Sequence, residues 1–239
     1  MRWICILCGV KNRSPLVERE AMQCVACAST WRVRATALGV LLGTASPVKP
    51  FSDVPRNYFW RGLGISDHMT LAGGLASRFD YTNSYYHRFP RLDLLDPGRE
   101  LESFFGFITC SDVLEHVPPN ADRALSGMCN ILDTHGFAVI SVPSGGSSTP
   151  TREFYPDLVE WTEVDGLVIW KDSEGVEHVD SSPEFHGGGG QTLAFRLWGE
   201  DDLRERLIRV GFRAVRDIPF CEELGVPPLE NHGVFIAHR

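Results

Sequence analysis

At 239 residues the chain is long enough for one α/β domain with a full core and a small appendage. Its composition, 43% hydrophobic and 23% charged, is that of an ordinary globular protein, and no apolar run approaches the roughly 18–20 residues of a membrane span. The net charge of −8 is uneven: residues 1–50 hold seven Lys/Arg against two Glu, whereas Arg152 to Phe185 holds ten acids against Arg152 and Lys171. That acidic stretch would repel a polyphosphate, so any nucleic-acid role is confined to the first 50 residues.

The N-terminal MRWICILCG is too short in its apolar part for a secretory signal, and the chain is expected in the cytoplasm. Cys5, Cys8, Cys24 and Cys27 form C-x2-C-x15-C-x2-C, the spacing of a zinc ribbon. Two tight knuckles would aim four thiolates at one tetrahedral Zn²⁺, and Gly9 suits the first turn. Four protein ligands leave no open position, so the metal is expected to be structural. Cys110, Cys129 and Cys221 are scattered in apolar surroundings and read as core residues.

WRVRATALGVLLG, Trp31 to Gly43, reads as a short helix packing the ribbon onto the rest. The ribbon and this helix would occupy residues 1–43, a turn-rich linker residues 44–56, and the main domain residues 57–239. NYFWRGLGIS predicts a strand running into a glycine-bearing turn at Gly62 and Gly64. DHMTLAGGLASRF predicts a weak helix, DYTNSYYH a second strand, RLDLLDP a loop or short strand, and FFGFITC a buried strand. NADRALSGMCNILDTHG carries apolar residues at helical spacing and closes on Gly136, followed by a strand in GFAVISVPS. GEDDLRERLIRVGF predicts a helix with Leu203, Leu207 and Ile208 on one face and Gly211 as its stop, and RAVRDIPF and GVFIAHR complete the strands.

Strands alternating with helices predict a doubly wound, mostly parallel sheet, whose ligand crevice lies outside the carboxyl ends of its strands. SDVLEHVPP follows such an end, which directs Asp112, Glu115 and His116 toward the crevice.

Residues 57–143 and 199–239 resemble a class I S-adenosylmethionine-dependent methyltransferase. SDVLEHVPP, GMCNILDTHGFAVISVP and LWGEDDLRERLIRVGF carry the resemblance, in the family's order and spacing. It implies a Rossmann-like, mostly parallel seven-stranded sheet and S-adenosylmethionine as cofactor. The sequence departs from the family at the cofactor loop, where only RGLGISD stands in place of a longer glycine run. Tyr81-Thr82-Asn83 and Pro90-Arg91-Leu92-Asp93 fit a subgroup in which that loop is abbreviated.

By this resemblance Gly62, Gly64 and Ser66 would approach the cofactor's amino-acid part, Asp93 its adenine, and Asp112 its sulfonium. Glu115, a candidate cofactor-binding residue, and His116, a candidate catalytic residue, either tie the loop to the sheet or face the substrate. The 47 residues from Ser144 to Gly190 are too long for a plain connection and are expected to cap the acceptor site, with His186 as candidate general base and Tyr155, among its aromatics, as a further candidate catalytic residue. Three readings follow. The first is a methyltransferase acting on the oxygen or nitrogen of a small molecule or glycan; the second is an RNA methyltransferase docking through its ribbon; the third is a non-catalytic interaction protein. The acidic cap opposes the second.

Overall fold

The computed structural model describes residues 2–13, 19–20, 22–186 and 192–239. The glycine run Gly187 to Gly190 lies outside the described residues. The chain opens with an antiparallel hairpin, β1 (Arg2–Ile4) and β2 (Lys11–Arg13). Each C-x2-C knuckle closes on a residue with positive φ directly after its second cysteine, Gly9 at +73° and Ala28 at +53°. In each, that residue's amide donates to the carbonyl of the first cysteine, Gly9 to Cys5 and Ala28 to Cys24. The two turns are therefore built alike, although only one has the glycine that makes such a φ easy.

Helix α1 (Trp31–Gly43) is capped by Thr30, whose side chain accepts from the Val33 amide. It is apolar on nearly every side and buried from Val33 to Leu41, as such a helix must be. It does more than fasten the ribbon, because it packs across the sheet against three strands: β5 (Phe105–Ser111), β6 (Leu132–Ser141) and β15 (Val234–His238). Trp3, Cys5 and Ile6 of the ribbon share one core with α1 and with Phe107, Phe137 and Val139 of the sheet.

The central sheet has six strands in the order β14 (Ala214–Asp217), β15, β6, β5, β3 (Asn57–Ile65) and β4 (Phe79–Ser84). β15 runs antiparallel to both its neighbours, and β4, β3, β5 and β6 are parallel. The seventh strand is missing among the described residues: after β4 the chain makes only an isolated parallel bridge between Tyr85 and Arg91. There Asp93 turns the backbone, its Oδ1 accepting from the Leu95 amide at 2.9 Å. A side chain that bonds the backbone two residues on competes with a sheet ladder.

Helix α2 (Met69–Ala76) links β3 to β4, and α3 (Ala121–Ile131) links β5 to β6. The glycine expected to stop α3 does not do so: the helix ends at Ile131, and Gly136 lies inside β6. Helix α4 (Glu200–Arg209) buries Leu203 and Leu207 but leaves Ile208 half exposed, and Gly211 follows it at a φ of +121°. The second core, around Ile108, Ile140, Phe235, Leu125 and Leu203, fills the space between the sheet and α3 and α4.

Between β6 and α4 stands the cap. Its strands are β7 (Arg152–Glu153), β8 (Glu160–Val164), β9 (Leu167–Lys171), β10 (Glu177–Asp180), β11 (Phe185–His186), β12 (Thr192–Leu193) and β13 (Arg196–Leu197). β8, β9 and β10 form an antiparallel meander, and Tyr155, Val168, Trp170, Leu193 and Phe195 form a small core of its own.

Candidate functional site

Following β3 the chain moves outward to β4, then returns to the other side of β3 as β5. The sheet's winding reverses between β3 and β5, and the carboxyl ends of those two strands define the crevice where ligands bind in folds of this kind. Both strands leave the sheet through a strained residue, Ser66 at a φ of +57° and Asp112 at +51°. Left-handed backbone is uncommon for non-glycine residues and concentrates at functional sites.

Asp67 lies directly beyond Ser66 and is buried. Its Oδ2 accepts from the Tyr81 hydroxyl at 2.6 Å and from Thr109 Oγ1, and its main chain exchanges bonds with the Asn83 side chain at 3.0 and 2.9 Å. Its Oδ1 is buried without a partner. Burial raises the Asp67 carboxyl to about 7, against the opposing hydrogen bonds from Thr109 and Tyr81. This residue escaped the sequence reading, which chose Ser66 beside it. Asn83 and Tyr81 were singled out as part of YTN, but their bonds to Asp67 span 16 and 14 residues.

Gly62 and Gly64 are not in a loop: both lie inside β3. A Cβ on Gly64 would run into the Tyr81 hydroxyl, and one on Gly62 into the Phe107 ring. They admit side chains of the neighbouring strands to the face of β3.

Asp112 is gripped by two arginines from the N-terminal segment. Arg19 places Nη2 2.8 Å from Oδ1 and Nη1 3.1 Å from Oδ2, while Arg32 Nε stands 3.0 Å from Oδ2. Arg32 also donates to Ser111 Oγ at 2.6 Å and to Glu20 at 2.8 Å, and Ser141 donates to Asp112 at 3.0 Å. Burial pushes the Asp112 carboxyl up, but Arg19 and Arg32 overcome it and hold the group below the usual carboxylate range. Three of the seven basic residues that gave the N-terminal segment its charge, Arg19, Arg32 and Arg34, thus point inward or are buried.

Glu115 and His116 occupy a short 3-10 turn, Leu114–His116. Both Glu115 carboxyl oxygens are buried without a hydrogen-bond partner, and burial together with the nearby Asp112 charge raises the group to about 8. His116 Nδ1 lies 2.9 Å from the Leu193 carbonyl oxygen, which fixes Nδ1 as the protonated nitrogen of the neutral ring. Its Nε2 is 3.7 Å from Glu115 Oε1. Burial, with a smaller contribution from His186, depresses the His116 pKa. His186 comes down from the cap to meet His116 edge to face, ring centroids 5.6 Å apart.

The loop beneath them is locked by Arg196, which the sequence reading passed over. Fully buried, it donates to the carbonyls of Leu114 (2.9 Å), Val117 (2.6 Å) and Pro118 (3.3 Å), and its Nε pairs with Glu153 at 3.0 Å. The Phe195 amide adds a bond to the Glu115 carbonyl at 2.8 Å. Tyr155 is not part of the cluster: its hydroxyl donates to Asp180 at 2.7 Å, and its ring packs on Trp170 and Phe195 in the core of the cap. Asp93, half-buried, stands in its turn after β4. A cleft of about 370 Å³ lies at the opposite, amino end of the strands, lined by Tyr58, Trp60, Arg61, Phe104 and His135, and none of the candidate site residues lines it.

The four ribbon cysteines converge, with ligand atoms within 4.8 Å of one another. Cys5 and Cys27 sulfurs are 3.6 Å apart, as are those of Cys8 and Cys24. Such pairs are far too long for disulfides, whereas a tetrahedral ion with Zn–S bonds of about 2.3 Å sets its sulfurs about 3.8 Å apart. Ser29 Oγ is 3.3 Å from both Cys5 and Cys27, and Asn12 Nδ2 is 3.5 Å from Cys24. Arg34, wholly buried, donates to the Met22, Ser29 and Gly225 carbonyls and stacks 4.3 Å from the Trp3 ring centroid. Burial lowers the Arg34 pKa to about 10, against the favourable field of the cysteines.

No protein-family model matches the sequence, and no curated protein is similar to it in sequence. Among solved structures, the chain is similar to a 1,6-didemethyltoxoflavin-N1-methyltransferase of Burkholderia thailandensis, determined with that substrate and S-adenosylhomocysteine bound, at 16% identity and a TM-score of 0.48, covering 87% of this chain and 78% of that one. It is similar to a sugar N-methyltransferase from a Streptoalloteichus species at 14% identity and 0.48, covering 95% and 98%. A third is an amino pentose methyltransferase of Micromonospora echinaspora, at 15% identity and 0.47, covering 88% and 92%. At such identities and TM-scores these likenesses identify neither activity nor substrate, and the functional reading rests on the site itself.

Proposed function

We propose that the protein is an S-adenosylmethionine-dependent methyltransferase acting on the oxygen or nitrogen of a small-molecule or glycan acceptor. The observation that carries this reading is the crevice at the switch point between β3 and β5. There two strained strand exits bring together a buried carboxyl with an orphaned oxygen, Asp67, and an arginine-bound carboxylate, Asp112. The segment SDVLEHVPP, which carries the family resemblance, leaves β5 into this crevice.

The residues present suit the cofactor. Asp67 Oδ1 is an unused acceptor for a hydroxyl or amino donor, Ser66 is exposed at the exit of β3, and Arg32, already held by Asp112, Glu20 and Ser111, stands beside the crevice as a guanidinium for a carboxylate. Asp93 remains the candidate for the adenine. When bound, S-adenosylmethionine supplies a methyl group on a positively charged sulfur, which Asp112 and the neighbouring acids would tolerate. The chain's own task is alignment of the acceptor, worth several kcal/mol, and accommodation of the acceptor's proton. Glu115, His116 and His186, under the cap, are the groups placed to receive it.

The ribbon, in this reading, holds structural Zn²⁺ on Cys5, Cys8, Cys24 and Cys27, and the buried Arg34 cation offsets the negative charge of four thiolates. Its role is to present Arg19 and Arg32 to the crevice. With these two arginines turned inward, the ribbon offers less charge to RNA than its sequence suggests, which weighs against the RNA reading. A second reading, a methyltransferase-like interaction protein without activity, draws on the same Arg19–Asp112–Arg32 cluster, since the two cations already neutralise Asp112. Thermal unfolding of the zinc-loaded protein with and without S-adenosylhomocysteine distinguishes the two. Ligand at 100 times its Kd stabilises a binding-competent fold by about 2.7 kcal/mol, a shift of several degrees. An unchanged midpoint at millimolar ligand would leave the non-catalytic reading.

A further inference from the structure

We infer that Glu115, His116 and His186 form a second metal site, separate from the ribbon, which binds a divalent transition-metal ion beneath the cap. The three residues come from two parts of the chain some 70 residues apart in sequence, and their ligand atoms lie within 4.8 Å of one another. Two imidazoles and one carboxylate are an established donor set for Zn²⁺, Fe²⁺ or Mn²⁺, and three protein ligands leave open positions for water or an acceptor oxygen.

The independent observation is Glu115 itself. It is 1% exposed, and neither of its carboxyl oxygens has a hydrogen-bond partner. A buried carboxyl with both oxygens idle is costly, and such a group calls for a partner, of which a bound ion is one. His116 is prepared in the same direction: the Leu193 carbonyl holds the proton on Nδ1, so the lone pair on Nε2 faces the carboxylate, 3.7 Å from Oε1. A carbonyl on the far nitrogen is the usual outer support of a ligating histidine. Donors of a common ion at about 2.1 Å must stand about 3.0–3.4 Å apart, so a separation of 4.8 Å has to close by about 1.5 Å. His186, half-buried on the two-residue strand β11, is the ligand that has to make that movement, because the loop bearing Glu115 and His116 is pinned by Arg196. Asp112 and Glu184 add negative charge nearby, while Arg19 and Arg32, which face Asp112, also act on Glu115.

Placed there, the ion would lower the pKa of a bound acceptor hydroxyl, whose proton passes to water, and it would replace the three side chains as the means of handling that proton. Binding of the ion does not depend on methyl transfer. The test is titration of Co²⁺ into protein whose ribbon is already loaded with zinc, without S-adenosylhomocysteine. The expected result is one further equivalent of Co²⁺ with weak visible d–d absorption and no near-ultraviolet thiolate charge transfer. His186→Ala and Glu115→Gln should each weaken that binding at least tenfold. His186→Ala, at a half-buried strand position, is compared only once circular dichroism shows it folded like the wild type. Absence of a second equivalent, a thiolate band accompanying it, or wild-type affinity in folded His186→Ala would overturn the proposal. S-adenosylhomocysteine binding is measured separately, so the failure of one claim leaves the other standing.

Discussion

Asp67→Asn is a direct probe of the buried carboxyl at the exit of β3. In the folded protein Asp67 titrates near 7, and in the unfolded chain near 3.8. Between those values the native state binds the extra proton, so this group makes stability fall as pH rises. The penalty reaches roughly 4 kcal/mol above pH 7. Asparagine preserves the acceptor for Tyr81 and Thr109 and removes the titration, at a cost of about 1–3 kcal/mol for an amide without a partner where Oδ1 was. Urea denaturation of both proteins at pH 5.5 and 8.5 cancels the contributions of the other groups. The stability of Asp67→Asn relative to wild type should improve by about 2 kcal/mol between the two pH values. A difference independent of pH would mean that Asp67 is solvated or already ionised, and the burial argument for the crevice would fail with it.

Removing the zinc proposed for the ribbon with a chelator should release Arg19 and Arg32 from the crevice as well as melt the ribbon; circular dichroism should register the lost helix packing, and a ribbon-only change would contradict the shared core of Trp3, Cys5 and Phe107. Arg196→Met strips the loop Leu114–Pro118 of its lock and leaves Glu153 unpaired, a loss of about 3–5 kcal/mol measurable in urea. Tyr155→Phe deletes one hydrogen bond in the cap, costing about 1 kcal/mol, and should leave S-adenosylhomocysteine affinity unchanged; a tenfold loss would restore Tyr155 to the site.

Local patterns carried most of the fold. The two C-x2-C pairs, the apolar runs of β5 and β6 and the helical spacing of α3 and α4 are short-range signals, and each element lies where its pattern puts it, except that α3 gives way to β6 before Gly136. Gly62 and Gly64 misled because a glycine pair reads as a turn, whereas here the close approach of Tyr81 and Phe107 to β3 calls for them. The stretch after β4 carries alternating apolar residues, yet Asp93 turns it before a strand can form. The site was harder to read because its decisive contacts are long-range. Asp112 pairs with residues 93 and 80 positions away, and Arg196 bonds carbonyls 78–82 positions away. Arginines of this kind look like solvated surface in sequence, and only the folded chain reveals them as internal. His116 and His186 were recognised singly, and it was the fold that brought them to one point.

The central claim is that the crevice between β3 and β5 binds S-adenosylmethionine with the help of Arg19 and Arg32 of the N-terminal segment. Calorimetric titration of S-adenosylhomocysteine into zinc-loaded wild type and Arg32→Gln tests it most directly. One-to-one binding by the wild type, weakened at least tenfold in Arg32→Gln, is the predicted result, a loss of about 1.4 kcal/mol or more. No heat of binding in the wild type, or equal affinity in both proteins, would contradict it.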